Sequence, residues 1–328
     1  MKSMLSAAAL LLLVGGCARQ AGAPAQAQAP AAASAPSVAP GQDLKAEHAR
    51  WVSDREASLR KPDGWASLTG LHWIEGSEQR VGSGEGNDIK LLIGPESLGT
   101  VRQHAGVVSF LPAEQADLTI DGRPVPDAVE LKPAGEGGPG TTLSYDAGKG
   151  KINLIQRGNA LALRVHHADA PTRQHFAGLD FWPAQPEWVV DARFVAHPPG
   201  KSIAIVNVIG DSNEVPNPGY LQFEKDGKTW RLEAFGDPSK GLNLMFKDAT
   251  SGKESYGVGR YLQTGPVCSD GHVAVDFNRA YNPPCAYTDF ATCPIPPREN
   301  NLAHQQIEGR DASLAVAAGE KSYKGHES

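Results

Sequence analysis

The stretch Gly219-Tyr220-Leu221-Gln222-Phe223-Glu224-Lys225-Asp226-Gly227-Lys228-Thr229-Trp230-Arg231-Leu232-Glu233-Ala234 decides the fold class. Gly219 to Lys225 and Thr229 to Ala234 read as two strands, and Asp226-Gly227-Lys228 as the turn of a hairpin, because Asp-Gly tolerates the positive φ values a tight turn needs. The same punctuation runs outward in both directions. Upstream, short β-like runs cover Leu71 to Ile74, Ile89 to Ile93, Val107 to Leu111, Leu118 to Ile120, Val129 to Leu131, Thr142 to Tyr145, Ile152 to Gln156 and Ala160 to Val165. Asp121-Gly122 and Arg157-Gly158-Asn159 are tight-turn signals among them. A second block holds Trp188 to Phe194, Ile203 to Ile209, Leu242 to Phe246, Tyr256 to Leu262 and His272 to Phe277. Short strands at regular spacing predict an all-β, mainly antiparallel protein built from sandwiches or barrels. The 36 Gly and 25 Pro then serve largely as turn residues, and the glycines keep no three-residue period, which excludes collagen.

The blocks predict an N-terminal β-sandwich lobe over residues 43–185 and a C-terminal β lobe over 186–311, with a flexible tail at 312–328 where Ala, Gly and charge dominate. One helix is expected, from Asp43 as cap to Lys61, stopped by Pro62-Asp63-Gly64. It reads as a surface helix packing Trp51 and Leu59 down. Gly82-Ser83-Gly84-Glu85-Gly86-Asn87-Asp88-Ile89-Lys90-Leu91 resembles the start of a forkhead-associated sandwich. That family binds phosphothreonine through an Arg after the first Gly and a downstream Ser. Here Ser83 follows Gly82 and no Ser-x-x-His segment follows, so no phosphopeptide site is expected.

Ahead of the lobes, Met1-Lys2-Ser3 gives a positive start and Met4 to Val14 an apolar run. That run is too short to span a bilayer core and suits a signal peptide. It ends in Val14-Gly15-Gly16-Cys17, which resembles a bacterial lipobox. The resemblance implies a lipoprotein signal peptide and lipobox Cys over 1–17, with cleavage before Cys17 and diacylation of Cys17. Ala18 replaces the Asp that would retain such a protein in the inner membrane. Residues 18–42 are rich in Ala, Pro and Gln and form a tether rather than a core. The expected location is the bacterial cell envelope, lipid-anchored in the outer membrane and facing the periplasm. The partner so implied is the membrane itself, and no particular protein partner is indicated.

A net charge of −6 disfavours nucleic acid, whose phosphates need an excess of Lys and Arg. The chain has no Gly-x-Ser-x-Gly elbow, phosphate loop or dinucleotide fingerprint. No cofactor is expected, and no metal: adjacent His166 and His167 point to opposite faces of a strand.

The densest polar segment is Asp276-Phe277-Asn278-Arg279-Ala280-Tyr281-Asn282-Pro283-Pro284-Cys285-Ala286, followed by Thr292-Cys293-Pro294-Ile295-Pro296-Pro297-Arg298-Glu299-Asn300. With the upstream Asp248-x-Thr250-x-Gly252 and Tyr256-Gly257-x-Gly259-Arg260, these stretches resemble the DUF1684 family, from about Trp51 to about Gly309. The family carries no assigned reaction. One departure is that Glu308-Gly309-Arg310 follows Asn300-x-Leu302 where the family tends to continue to Ala-Gly-Glu.

Prolines 283, 284, 294, 296 and 297 stiffen the segment and lower the entropy of holding side chains in place. Tyr256, Arg260, Asp276, Asn278, Tyr281 and Asn282 are therefore the candidate ligand-binding residues, with Arg260 suited to clamp a carboxylate or phosphate. A small anionic or envelope-derived compound is the expected ligand, and whether the protein is an enzyme is left open. The alternative is a non-catalytic interaction or scaffold protein, in which the motif is structural and an Asp276–Arg279 or Asp276–Arg260 pair pins the loop. In an oxidising compartment Cys285 and Cys293 are the disulfide candidate. A free nucleophilic Cys285 is a weaker alternative.

Overall fold

The computed structural model describes residues 43–134 and 140–326. The expected signal peptide, the expected acylation site Cys17 and the expected tether lie outside the described residues. Asp43 caps helix α1 (Leu44–Leu59), its carboxylate accepting from the backbone N–H of Lys45 and Ala46, as a short acidic side chain should. From Leu68 on, the chain is built of strands, and their ladders are mainly antiparallel. The expected all-β class with one N-terminal helix is what the chain adopts, with a second short helix at Pro171–Gln174.

The N-terminal lobe is a sandwich. One sheet runs in the order Leu68–Trp73, Ala160–His167, Gly150–Arg157, Thr142–Tyr145, Thr119–Ile120, Arg123–Pro124. The other runs Ile89–Lys90, Glu78–Gly82, Gly99–His104, Val107–Pro112, Val129–Leu131. Alternation explains the shared core. Leu163, Val165, Ile152, Leu154 and Leu143 point inward from the first sheet, and Val81, Val101, Val108 and Phe110 from the second. The alternate residues of the first sheet, Arg157, Ala162, Arg164 and His166, lie on its outer face.

The C-terminal lobe centres on a six-stranded sheet in the order Arg260–Gln263, Gly241–Phe246, Lys228–Asp237, Gly219–Lys225, Val189–Ala196, His272–Asp276. The hairpin predicted at 219–234 is its middle. Leu221 pairs with Leu232 and Phe223 with Trp230, and Asp226 and Gly227 carry φ values of 52° and 69° in the turn. Ser202–Val206 and Ser212–Pro216 form a separate hairpin. The polar segment 211–219 thus contributes the second of these strands.

Two expectations are corrected. Residues 312–321 are not a loose tail. Ala312, Leu314, Val316 and Ala318 are buried in the C-terminal core beside Phe246 and Phe277. Their alternation is that of a half-buried extended chain. Helix α1 is also not an ordinary surface helix. Leu59 is buried as expected, but its fellow buried side chains are Glu47 and His48, and Trp51 is half-buried, edge-on to Phe181. The helix meets the C-terminal lobe largely through polar side chains, so it closes that lobe rather than belonging only to the sandwich.

Candidate functional site

Arg260 starts the edge strand Arg260–Gln263. Gly259 precedes it at φ +119°, with Phe246 O and Pro296 Cγ each 2.7 Å from where a Cβ would stand. Only glycine fits there, and the close approach presses the strand onto the Pro296 loop. The Arg260 side chain is 0% exposed. Its Nη2 donates to Asp248 Oδ2 at 2.8 Å and to Val316 O at 2.8 Å, and its Nη1 to Ala318 O. Trp182 and Phe246 lie against the guanidinium. Burial pulls its pKa down and Asp248 opposes that pull. Asp248 is shared further. Its Oδ1 accepts from Thr250 N–H and Oγ1 at 2.9 and 2.7 Å and from Val316 N–H at 3.1 Å. The Asp-x-Thr-x-Gly turn and the Gly-x-Gly-Arg strand thus hold the last extended segment in the core.

The other five candidates behave the same way. Asp276 lies 3.2 Å from Arg279 and accepts from Asn278 Nδ2 at 2.9 Å, so the pair that forms is Asp276–Arg279, and Arg260 takes Asp248 instead. Burial raises the Asp276 pKa despite those partners. Asn278 exchanges two bonds with the Gln185 backbone, each 3.0 Å, and its carbonyl meets His48 Nε2 at 3.0 Å. Asn282 Nδ2 donates to Glu320 Oε1 at 3.0 Å and to Lys321 O at 2.7 Å. Tyr281 lies under the Arg55 guanidinium, 4.4 Å from its centroid. Tyr256 OH donates to Cys285 O at 2.9 Å. Asn300 works likewise, donating to Glu233 O and Met245 O and accepting from Glu233 N–H.

A groove of about 480 Å³ lies in the sandwich, lined by Ile120 to Val129, and a cavity of about 140 Å³ lies between Gly178 and Glu320. Neither is lined by any of the six.

Sequence reasoning missed Arg55 and Glu320. Arg55 donates to Glu320 Oε2 at 2.9 Å, to Asn282 O at 2.8 Å and to Tyr287 OH at 2.9 Å, and Tyr287 OH bonds the other oxygen of Glu320. Burial works against the Arg55 cation, but Glu320, Tyr287 and Tyr281 together raise its pKa. A usable signal was present: Ala318-Gly319-Glu320 supplies the Ala-Gly-Glu that seemed displaced at 308–310.

Two further clusters carry polar chemistry. Asp146, His167 and Asp169 gather within 4.8 Å. His167 Nδ1 accepts from Asp169 N–H at 3.1 Å, so Nε2 holds the proton and donates to Asp146 at 3.1 Å, while Lys149 occupies Asp169 at 2.9 Å. Both ring nitrogens are therefore taken. The second cluster is the seam between the lobes. Cys285 is half-buried and Cys293 buried, and both are free thiols rather than the expected bridge. They are nonetheless adjacent, with Cys285 N–H 3.1 Å from Cys293 Sγ. The bond from Cys293 lowers the Cys285 pKa, and burial raises that of Cys293. Across the seam, Arg157 Nε donates to Thr292 Oγ1 at 2.9 Å. Arg164 stacks 5.2 Å from the Trp65 centroid with its Nε unpartnered. Burial and the nearby Arg157 pull Arg164 down to about 10.

No curated protein matches the chain. The solution NMR structure of an uncharacterized protein from Haloarcula marismortui is similar at 33% identity, over 47% of this chain and 81% of that one, with a TM-score of 0.37. The N-terminal FHA domain from EssC, a component of the bacterial type VII secretion apparatus, is similar at 19% identity over 31% of this chain and 47% of that one, with a TM-score of 0.24. A family model described as a protein of unknown function matches residues 174–321, which hold the strands of the C-terminal lobe and the polar motifs, and the chain belongs to that family, DUF1684.

Proposed function

We propose that this chain is an envelope-anchored interaction or scaffold lipoprotein in which the C-terminal motif is a structural clamp. The observation that carries this is the buried Arg260: both its terminal nitrogens are bonded, to Asp248 and to the carbonyls of Val316 and Ala318, and with the side chain 0% exposed the one donor left over, Nε, faces no solvent from which an anionic ligand could reach it. The anchor rests on the sequence Val14-Gly15-Gly16-Cys17 after an apolar run. With two or more acyl chains it would hold stably to a membrane. The tether then lets the β lobes stand off the bilayer.

The test has two arms. A metabolite-library thermal-shift screen compares the wild type with Arg260→Ala and Tyr256→Phe. The expected result is that Arg260→Ala melts lower without any compound and that no compound depends on Arg260. A compound that stabilises the wild type but neither variant would restore the ligand site. For the anchor, Cys17→Ser should abolish labelling by radioactive palmitate and move the protein out of the membrane fraction. Unchanged labelling refutes it.

A further inference from the structure

The seam between the lobes goes beyond that clamp. Three observations meet there. The two thiols are unequal, Cys285 half-buried and Cys293 buried, and they are neighbours: Cys293 Sγ accepts from Cys285 N–H at 3.1 Å, and the two side chains hydrogen-bond each other. Their backbone is held still. Val208 N–H donates to Cys293 O at 3.0 Å, Ile295 N–H to Val206 O at 2.7 Å, and Tyr261 OH to Pro294 O at 2.6 Å. Prolines 283, 284 and 294 add stiffness. Finally, Arg157 and Arg164 approach Cys293 from the sandwich, and among the described residues neither has an ion-pair partner.

We propose that Cys285 and Cys293 form a thiol–disulfide exchange site for small-molecule disulfides, with Cys285 attacking and Cys293 resolving. The Cys285 thiolate attacks one sulfur of R–S–S–R. That bond breaks, one R–S⁻ leaves and takes up a proton, and Cys285 is left in a mixed disulfide. Cys293 then gives up its proton and attacks Cys285 Sγ, expelling the second R–S⁻, which leaves as R–SH. The dithiol loses two electrons to the disulfide, and two thiols are released for each bridge formed. The geometry suits each step. The more accessible thiol is the one whose ionised form is favoured. The buried thiol, which must ionise only once the first bond exists, is the one facing two guanidinium groups. Arg164 is thus a positioning residue that eases ionisation of Cys293.

The probe is glutathione disulfide, added to the reduced full-length protein. Samples are quenched with acid, alkylated and read by peptide mass spectrometry, with exposed Cys268 as the internal reference. In the wild type a Cys285–Cys293 bridge should form, two glutathione thiols should appear per bridge beyond those released at Cys268, and no lasting adduct should remain on Cys285 or Cys293. Cys293→Ser, or Cys293→Ala if the serine variant folds poorly, should accumulate glutathione on Cys285. Cys285→Ser should leave Cys293 at least tenfold slower than Cys268. Arg164→Gln should lengthen the life of the Cys285 adduct several-fold while leaving its rate of formation unchanged, which a merely structural role would not do. The proposal is overturned if Cys285 forms its adduct no faster than Cys268. It is equally overturned if the bridge, once made, resists dithiothreitol in the folded protein, since that would mark a structural disulfide.

Discussion

Arg55 in α1 and Glu320 near the end of the chain sit 2.9 Å apart, with the carboxylate almost fully buried and the guanidinium spread over Tyr281. The pair is separated by 265 positions. Removing one partner strands the other charge in the interior, which costs about 3–5 kcal/mol. Arg55→Met and Glu320→Ala should each lower stability by that amount in urea titration. Because they share one loss, the double variant should cost clearly less than their sum. Single variants within about 0.5 kcal/mol of the wild type, the scatter of ordinary surface changes, would show that the pair does not close the lobe.

The extended segment at 312–318 predicts a sharp boundary for truncation. A chain ending at Asp311 loses the buried Leu314 and Val316, each contributing about 1.5–3 kcal/mol of burial. It also strips Arg260 and Asp248 of backbone partners. Against a net stability of about 5–15 kcal/mol, such a chain should melt without cooperativity in circular dichroism. A chain ending at Lys324 should keep its transition. A cooperative melt for the shorter chain would contradict the placement.

Gly259 and Gly309 make a controlled comparison. Both have positive φ, but a Cβ at Gly259 would strike Phe246 O and Pro296 Cγ at 2.7 Å, whereas nothing lies within 4 Å at Gly309. Gly309→Ala should cost about 1–2 kcal/mol for its left-handed backbone alone. Gly259→Ala should cost more, because it adds a collision with backbone. Equal melting temperatures for the two variants would refute the close approach.

Stability should fall as the solution is acidified from neutrality. Burial first, then the field of Arg164, holds His166 at about 4, below the ordinary histidine value of about 6.5. Between those values the unfolded chain binds the proton more readily. The stabilising contribution is therefore complete above about pH 6.5 and is lost as pH drops towards 4, by a total of order 3 kcal/mol. His48 and His72, also lowered by burial, act in the same direction. Asp276, raised by burial, acts the opposite way and nearer the acid end. The urea midpoint should drop between pH 7 and 4.5, and His166→Asn should flatten that drop. An unchanged slope in the variant would assign it to other groups.

The fold was legible where its causes are local. The hairpin at 219–234 carries alternation on both arms and an Asp-Gly turn, and no distant residue is needed to specify it. The candidate site was legible only as a place. Polar side chains packed into a proline-stiffened segment signal preorganisation, but not whether they are preorganised for a ligand or for the chain's own ends. That depends on Glu47, His48 and Arg55 at one end and on Val316, Ala318 and Glu320 at the other. No spacing rule links those residues to Asp276 or Arg260. The Ala- and Gly-rich composition of 312–320 masked a strand-like alternation of Ala312, Leu314, Val316 and Ala318, because two of the four are alanines and so are residues 315 and 317 between them.

The burial of Val316 and Ala318 against Arg260 also fixes an order of events in time. A ribosome makes the chain from Met1 onward, and the sandwich, whose core ends at Val165, has all its parts early. The C-terminal lobe does not. Arg55 is made 265 positions before Glu320, and Arg260 lacks the carbonyls it binds until Val316 and Ala318 have been made. Until then that half of the molecule lacks the segment that fills part of its core. Its closing pair, Arg55 and Glu320, can form only after that segment exists.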